Sequence, residues 1–365
     1  MHKNLKKICL IALGALFITT TIHTSAKTKL NKTSLTLEEG EAATLKVTGS
    51  KKTIKWSSSD KKIATVTNKG KVTAKKAGNC KIIAKSGSKR YICKLKVIKK
   101  DNKPVTDTTE KDIADTEKII IKELIIKENN KEIYGKIYYP EKEGKYPAVI
   151  LSHGYNGTNS DFVQECTYFA QNGYVAYAYD FCGGSSRSKS SGKSTDMTIF
   201  TEKEDLLAVF NYIQALNNVD PDQMFLFGGS QGGFVTTLAA EELMDKVKSV
   251  ILYFPALNIP DDWRRNYPTI DKIPEVTDFW GLKLGKEFFL SIHDFYTFDN
   301  IGSYPNDVLI IYGDKDNIVP YNAMIEAQKT YNNAELVVLK NEGHGFSSQG
   351  GKKAREMVLD FLKKH

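Results

Sequence analysis

The sequence predicts an α/β domain, a parallel sheet covered by helices on both faces, preceded by a small all-β sandwich. Three observations lead there. From Lys118 onward, short apolar strand-like runs alternate with amphipathic helical stretches. Between residues 30 and 100, short alternating runs are punctuated by Gly or Ser clusters at about 8–12-residue spacing. The chain has 365 residues, more than one hydrophobic core usually organises.

With 41% hydrophobic and 26% charged residues, the composition is that of a globular protein and excludes the disordered and membrane-embedded classes. Lys3, Lys6 and Lys7 precede an apolar run from Ile8 to Ile18 that is too short to span a bilayer. Thr24 and Ala26 then stand like the small residues before a signal-peptidase cut. Residues 1–26 are therefore expected to be a secretory leader and the protein to be extracellular, cell-surface association included. An uncleaved membrane anchor is the alternative.

The net charge of +9 hides a split. Residues 27–100 carry 21 Lys and Arg against four acids, a net of +17, whereas residues 101–365 carry −11. That suits a basic module that contacts polyanions, such as those of a cell wall, beside an acidic catalytic body. A plain spacer is the rival reading, and no nucleic-acid partner is expected. Four cysteines lie beyond the leader: Cys80, Cys93, Cys166 and Cys182. With no Cys-x-x-Cys pair or Cys/His cluster, a structural zinc has no support. Cys80 and Cys93 flank two strand-like runs; export permits a disulfide there, and two buried thiols are equally admissible.

The basic segment reads as strands Ser34–Leu37, Ala43–Val47, Thr53–Trp56, Ile63–Thr67, Lys71–Ala74, Cys80–Ala84 and Tyr91–Val97. Its runs Leu35-Thr36-Leu37-Glu38-Glu39-Gly40, Ile54-Lys55-Trp56-Ser57-Ser58-Ser59, Ile63-Ala64-Thr65-Val66 and Gly70-Lys71-Val72-Thr73-Ala74 resemble a bacterial immunoglobulin-like domain of group 2. The resemblance covers 27–100 and implies an accessory or adhesive role without chemistry. Residues 101–117 are polar and lack apolar periodicity, as a linker does.

The catalytic segment, 118–365, opens with a hairpin, Ile119–Ile126 and Ile133–Tyr139, turned at Asn129-Asn130. Strands at Ala148–Ser152, Tyr174–Tyr179, Met224–Phe227, Ser249–Phe254, Val308–Tyr312 and Leu336–Leu339 follow. Helices at Asp161–Gln171, Glu202–Leu216, Phe234–Leu243, Tyr321–Thr330 and Ala354–Lys364 alternate with them. Residues 255–304 interrupt the alternation with Trp263, Tyr267, Trp280 and Phe288; too apolar for a solvated loop, they predict a cap over a cleft. Asp262, Trp263, Tyr267 and Trp280 are its candidate substrate-binding residues.

Strand Met224–Phe227 runs into Gly228-Gly229-Ser230-Gln231-Gly232-Gly233 and then a helix. A sharp strand-to-helix turn leaves no room for side chains at 228 and 232 and pushes the Ser230 hydroxyl outward, while the helix N-terminus favours developing negative charge. A hydroxyl needs a base. His2 and His23 lie in the leader, His365 is terminal, His293 sits in the cap and His153 precedes the serine, which leaves His344 in a small-residue loop after the last strand. The base needs a carboxylate. Asp314 and Asp316 compete after strand Val308–Tyr312; Asp316, further into the loop, is favoured, because Asp314 abuts the strand end and more naturally closes its own turn. The oxyanion needs two N–H donors: the backbone of Gln231 and, from the loop His153-Gly154-Tyr155, that of Tyr155. His153 is expected to hold the loop.

Taken together, His153-Gly154-Tyr155, Gly228 to Gly233, Asp316-Asn317-Ile318-Val319-Pro320 and Gly343-His344-Gly345-Phe346 resemble the α/β-hydrolase fold, and within it the cinnamoyl/feruloyl esterases and related carboxylesterases. Tyr155 stands where that group more often has Phe. The resemblance implies two-step acyl transfer on a small ester, plant-polysaccharide-derived esters included, with a cap and without metal or cofactor. A serine exopeptidase of the prolyl-oligopeptidase type shares fold and triad order; a surface adhesin with an inert hydrolase domain is the reading from another class.

Overall fold

A computed structural model of the chain describes residues 28–99, apart from 33, 51 and 88, and residues 118–365. The expected leader and linker lie outside the described residues. The chain divides into two compact units between Asp112 and Ile113.

The first unit is all β. One sheet has the order Ser34–Glu38, Lys89–Ile98, Gly78–Ser86, Ile54–Ser58; a second joins Ala42–Thr44, Lys71–Ala74 and Ala64–Val66. A short pair, Lys29–Leu30 with Val47–Thr48, completes it, so the expected run Ala43–Val47 is two strands. Period-2 alternation explains the core: Cys80, Ile82, Ala84, Cys93, Leu95 and Val97 are buried while their neighbours Lys81, Lys85, Lys94 and Lys96 are exposed. Cys80 lies opposite Leu95 and Cys93 opposite Ile82, and both are free thiols raised above their ordinary pKa by burial.

The second unit is an eight-stranded sheet flanked by helices. Its elements are β1 (Ile119–Glu128), β2 (Lys131–Pro140), β3 (Tyr146–Ser152), α1 (Val163–Gln171), β4 (Val175–Tyr179), α2 (Ile199–Gln214), β5 (Val219–Gly229), α3 (Gln231–Leu243) and β6 (Ser249–Tyr253). There follow α4 (Ile259–Asn266), β7 (Val276–Phe279), β8 (Leu282–Gly285), α5 (Lys286–His293), β9 (Asp307–Gly313), α6 (Tyr321–Thr330), β10 (Ala334–Leu339) and α7 (Ser348–Leu362). The sheet order is β1-β2-β4-β3-β5-β6-β9-β10.

The expected parallel sheet is in fact mixed. β2 pairs antiparallel with both β1 and β4, and the remaining neighbours are parallel. The hairpin at Asn129-Asn130, both at positive φ, supplies the first antiparallel pair. Strands β4, β6 and most of β9 are buried along their length, as strands covered on both faces must be.

Residues 255–304 are not sheet members. They form α4, the separate β7–β8 hairpin and α5. This segment leaves the sheet after β6, whose last residue Tyr253 pairs with Gly229 beside Ser230, and its side chains Trp263, Phe279 and Phe288 line a cavity together with Ser230.

Candidate active site

Ser230 occupies the turn between β5 and α3 with φ of +54°, a strained conformation for a residue bearing a side chain. The surroundings hold it there. The Ser230 N–H donates to the Tyr253 carbonyl at 2.9 Å, and the Ala256 N–H donates to the Ser230 carbonyl at 2.9 Å. A Cβ at Gly228 would strike the Gly232 carbonyl, and one at Gly232 would strike the carbonyls of Ser152 and His153. The glycines are thus required by backbone approach, as expected from the motif.

Asp316 and His344 come from neighbouring loops that are laced together. The N–H of Asp314 donates to the Leu339 carbonyl at 3.0 Å, and that of Lys315 to the Glu342 carbonyl at 2.7 Å. Asp314 itself accepts the Asn341 N–H at 2.6 Å. Its carboxylate therefore fastens the facing loop, where the sequence suggested closure of its own turn. Asp316 is the acid that reaches His344: Oδ2 lies 2.8 Å from Nδ1, while Oδ1 accepts the N–H groups of Ile318 and Val319 at 2.8 and 3.0 Å. Burial opposes charge on this carboxyl, but the His344 hydrogen bond, the two backbone donors and the imidazole outweigh it and hold its pKa below the usual range.

A carboxylate can only accept, so Nδ1 of neutral His344 carries the proton and Nε2 presents a lone pair. That lone pair faces Ser230 Oγ at 3.0 Å. The ring packs on Phe254 with centroids 4.5 Å apart, which fixes its plane. Serine, imidazole and carboxylate are thereby joined in one hydrogen-bonded line able to move a proton off the hydroxyl.

Gln231 is the first residue of α3, where the backbone N–H has no partner within the helix. The loop after β3 closes against the serine from the other side, Ser230 Cβ lying 3.1 Å from where a Gly154 Cβ would stand. His153 donates from Nδ1 to the Gly154 carbonyl at 2.7 Å and accepts the Phe181 N–H at Nε2 at 3.1 Å. Burial pushes its pKa down, so this histidine stays neutral and holds the loop. The hydroxyl of Tyr155, the atom that Phe would lack, donates to the Phe279 carbonyl at 2.8 Å. It ties this loop to the β7–β8 hairpin of the cap.

Glu202 on α2 was not singled out from the sequence, where it looks like any first-turn helix acid. It is buried, and the side-chain amide of Gln231 donates to its Oε2 at 2.8 Å. Burial lifts its pKa well above the carboxylate range, further than that hydrogen bond lowers it. The side chain next to the serine is thus anchored on a buried carboxyl group. Glu202→Ala should destabilise the fold by about 1–3 kcal/mol by orphaning the Gln231 amide, and Glu202→Gln by much less; thermal melts of the two variants check this.

Two cavities meet at Ser230. The one beneath the cap holds about 290 Å³ and is walled by Trp263, Phe279, Trp280, Leu284, Phe288 and Val319. The other, about 670 Å³, runs past His344 and Phe346 towards Glu165 and Arg355, which pair at 3.1 Å. The sequence-derived cap residues divide. Trp263 lines the first cavity. Trp280 borders both at the rim, 63% exposed and stacked on Phe279. Asp262 borders the cavity beneath the cap with its carboxylate engaged by Asn258 and Arg265. Tyr267 lines neither cavity. It stacks behind Trp263 at 5.7 Å and shares a hydrogen bond with Thr277, so its role is to back the tryptophan.

The family model described as the prolyl oligopeptidase family matches residues 159–365, and that of the bacterial Ig-like domain (group 2) matches residues 21–93. Among solved structures, Est1E from Butyrivibrio proteoclasticus with ferulic acid bound is similar at 27% identity and a TM-score of 0.59, covering 65% of this chain and 98% of that one. A second structure of Est1E gives 26%, a TM-score of 0.58 and the same coverages of 65% and 98%. The α/β hydrolase GrgF from Penicillium sp. sh18 shares the fold at 17% identity, with a TM-score of 0.56 over 68% of this chain and 99% of that one. With its mixed sheet, its serine on the β5–α3 turn and more than half its length matched, the chain belongs to the prolyl oligopeptidase family, a hydrolase of the α/β type fronted by an Ig-like domain.

Proposed function

We propose that this protein is a secreted serine esterase that cleaves small carboxylic esters with aromatic or medium-length acyl groups. The observation that carries the reading is the apolar cavity beneath the cap, which opens directly on Ser230 and is walled by Trp263, Phe279 and Phe288. An acyl chain lying there places its carbonyl at the hydroxyl, and the leaving alcohol then occupies the larger cavity past His344. Est1E, which holds ferulic acid, supports an aromatic acyl group.

In the proposed reaction Ser230 Oγ attacks the ester carbonyl as its proton passes to His344 Nε2. Asp316 steadies the imidazolium, and the N–H groups of Gln231 and Tyr155 receive the oxyanion. Collapse expels the alcohol, which takes the proton from His344. Water then gives its proton to His344, attacks the acyl-enzyme and releases the acid, restoring Ser230.

Peptide hydrolysis is the reading that the family name favours. An exopeptidase must hold a charged terminus, and the acids lining the two cavities are already engaged: Asp262 by Asn258 and Arg265, Glu165 by Arg355, and Asp161 by the Thr158 N–H. That favours esters. Turnover of p-nitrophenyl acetate and feruloyl esters with no release from aminoacyl-p-nitroanilides is the expected result; preferential anilide cleavage overturns the reading. Failure of Ser230 to react with a fluorophosphonate probe would instead point to an inert hydrolase domain.

Selectivity should follow the cavity wall. Trp263→Ala should lower relative kcat/KM for feruloyl over acetyl esters by roughly 10–200-fold, the equivalent of about 1–3 kcal/mol of lost contact. Trp280→Ala, at the exposed rim, should act in the same direction with a smaller effect. Equal losses on both esters would assign these side chains to stability.

A further inference from the structure

We propose that the outer face of the four-stranded sheet in the Ig-like unit is a binding site for an extracellular phosphate polyanion of the wall-polymer kind. Three adjacent strands of that sheet, Ile54–Ser58, Gly78–Ser86 and Lys89–Ile98, contain no Asp or Glu. Their exposed positions carry Lys55, Lys81, Lys85, Arg90, Lys94 and Lys96. Register concentrates these charges. Lys55 faces Lys85, Lys85 faces Arg90, and Lys81 faces Lys94. Like charges set directly opposite one another destabilise a sheet, a cost that a bound polyanion relieves.

The cations form two rows. Lys55, Lys85 and Arg90 make one; Lys81 and Lys94 make the other, four residues or about 13 Å away along the strands. Within a row, neighbours on adjacent strands sit about 4.8 Å apart. Ile83 and Ile92 face each other between the rows. Lys81, Lys94 and Lys96, with Ser59 and Asn79, also border a cavity of about 670 Å³ that no carboxylate lines. Two acids of the unit are occupied in turns, Glu39 accepting the Ala77 N–H and Asp60 the Lys62 N–H. Two rows of cations spread along the strands match a chain bearing repeated single charges better than one small anion. The secretory leader expected at residues 1–26 selects a polymer outside the cell over nucleic acid.

The test uses the full chain and labelled inorganic polyphosphate as the probe, at about 50 mM and about 500 mM salt. A face variant, Lys81→Gln/Lys85→Gln/Arg90→Gln/Lys94→Gln, is compared with a variant of equal charge change in the loops, Lys61→Gln/Lys62→Gln/Lys69→Gln/Lys75→Gln. The face variant should lose at least about tenfold in affinity and the loop variant less than about twofold, with binding by the unmodified chain weakened at the higher salt. Lys85→Gln/Lys94→Gln should fall between, which guards against misfolding of the fourfold variant. Equal losses in face and loop variants, no binding at low salt, or tighter binding of duplex DNA than of polyphosphate would each overturn the proposal.

Discussion

Ser230→Ala should lower kcat on small esters by on the order of 10⁴-fold or more while leaving the thermal melt nearly unchanged. The size follows from the role: without Oγ there is no covalent route, and the residual rate comes from the oxyanion donors acting on water. The unchanged melt follows from the surroundings, because the turn is held by the backbone bonds from Ser230 to Tyr253 and Ala256, which alanine retains. Alanine also keeps the strain of φ at +54°. Steady-state kinetics beside a fluorophosphonate labelling gel reads both. A loss of less than about tenfold would mean that another group carries the chemistry.

Asp316→Asn should cost about 10⁴-fold in kcat, whereas Asp314→Asn should cost only a fewfold. An amide at 316 can donate to Nδ1 and stabilise the wrong tautomer, leaving Nε2 protonated and unable to accept from Ser230. Asp314 touches the chemistry only through the Asn341 N–H that it fixes. The two variants also differ in their response to acid. Asp316 has its pKa lowered by folding, so its contribution to stability is present above the unfolded carboxyl pKa and is lost as pH falls through the folded value. The Asp316 side chain is covered, both its oxygens being engaged, so the readout is a shallower acid dependence of the melt in Asp316→Asn. A more damaging Asp314→Asn would reverse the assignment.

Much of this was legible in one dimension, because the requirements are local. A strand-to-helix turn that must pass backbone against backbone needs Gly at 228 and 232 and leaves Ser230 as the side chain in between, so the motif announces it once a strand is read before it and a helix after it. His344 was reachable by elimination among six histidines. The Ig-like strands were readable because period-2 burial is written in each short run.

Long-range pairing is not written that way. β2 and β4 look like any other apolar runs, and their antiparallel contact depends on how the chain crosses over, which no short window encodes. Asp314 and Asp316 differ by two positions, and the direction each loop takes in space decides which carboxylate meets Nδ1. Trp263 and Tyr267 stand four positions apart in the sequence, yet packing places one in the cavity wall and the other behind it. Glu202 reads as an ordinary helix acid until folding buries it against Gln231. Chain chemistry thus fixed which groups could react, through rules spanning a few residues. Which of them meet, and which are desolvated, depends on contacts between segments tens of residues apart, where burial rather than local pattern sets the free energy.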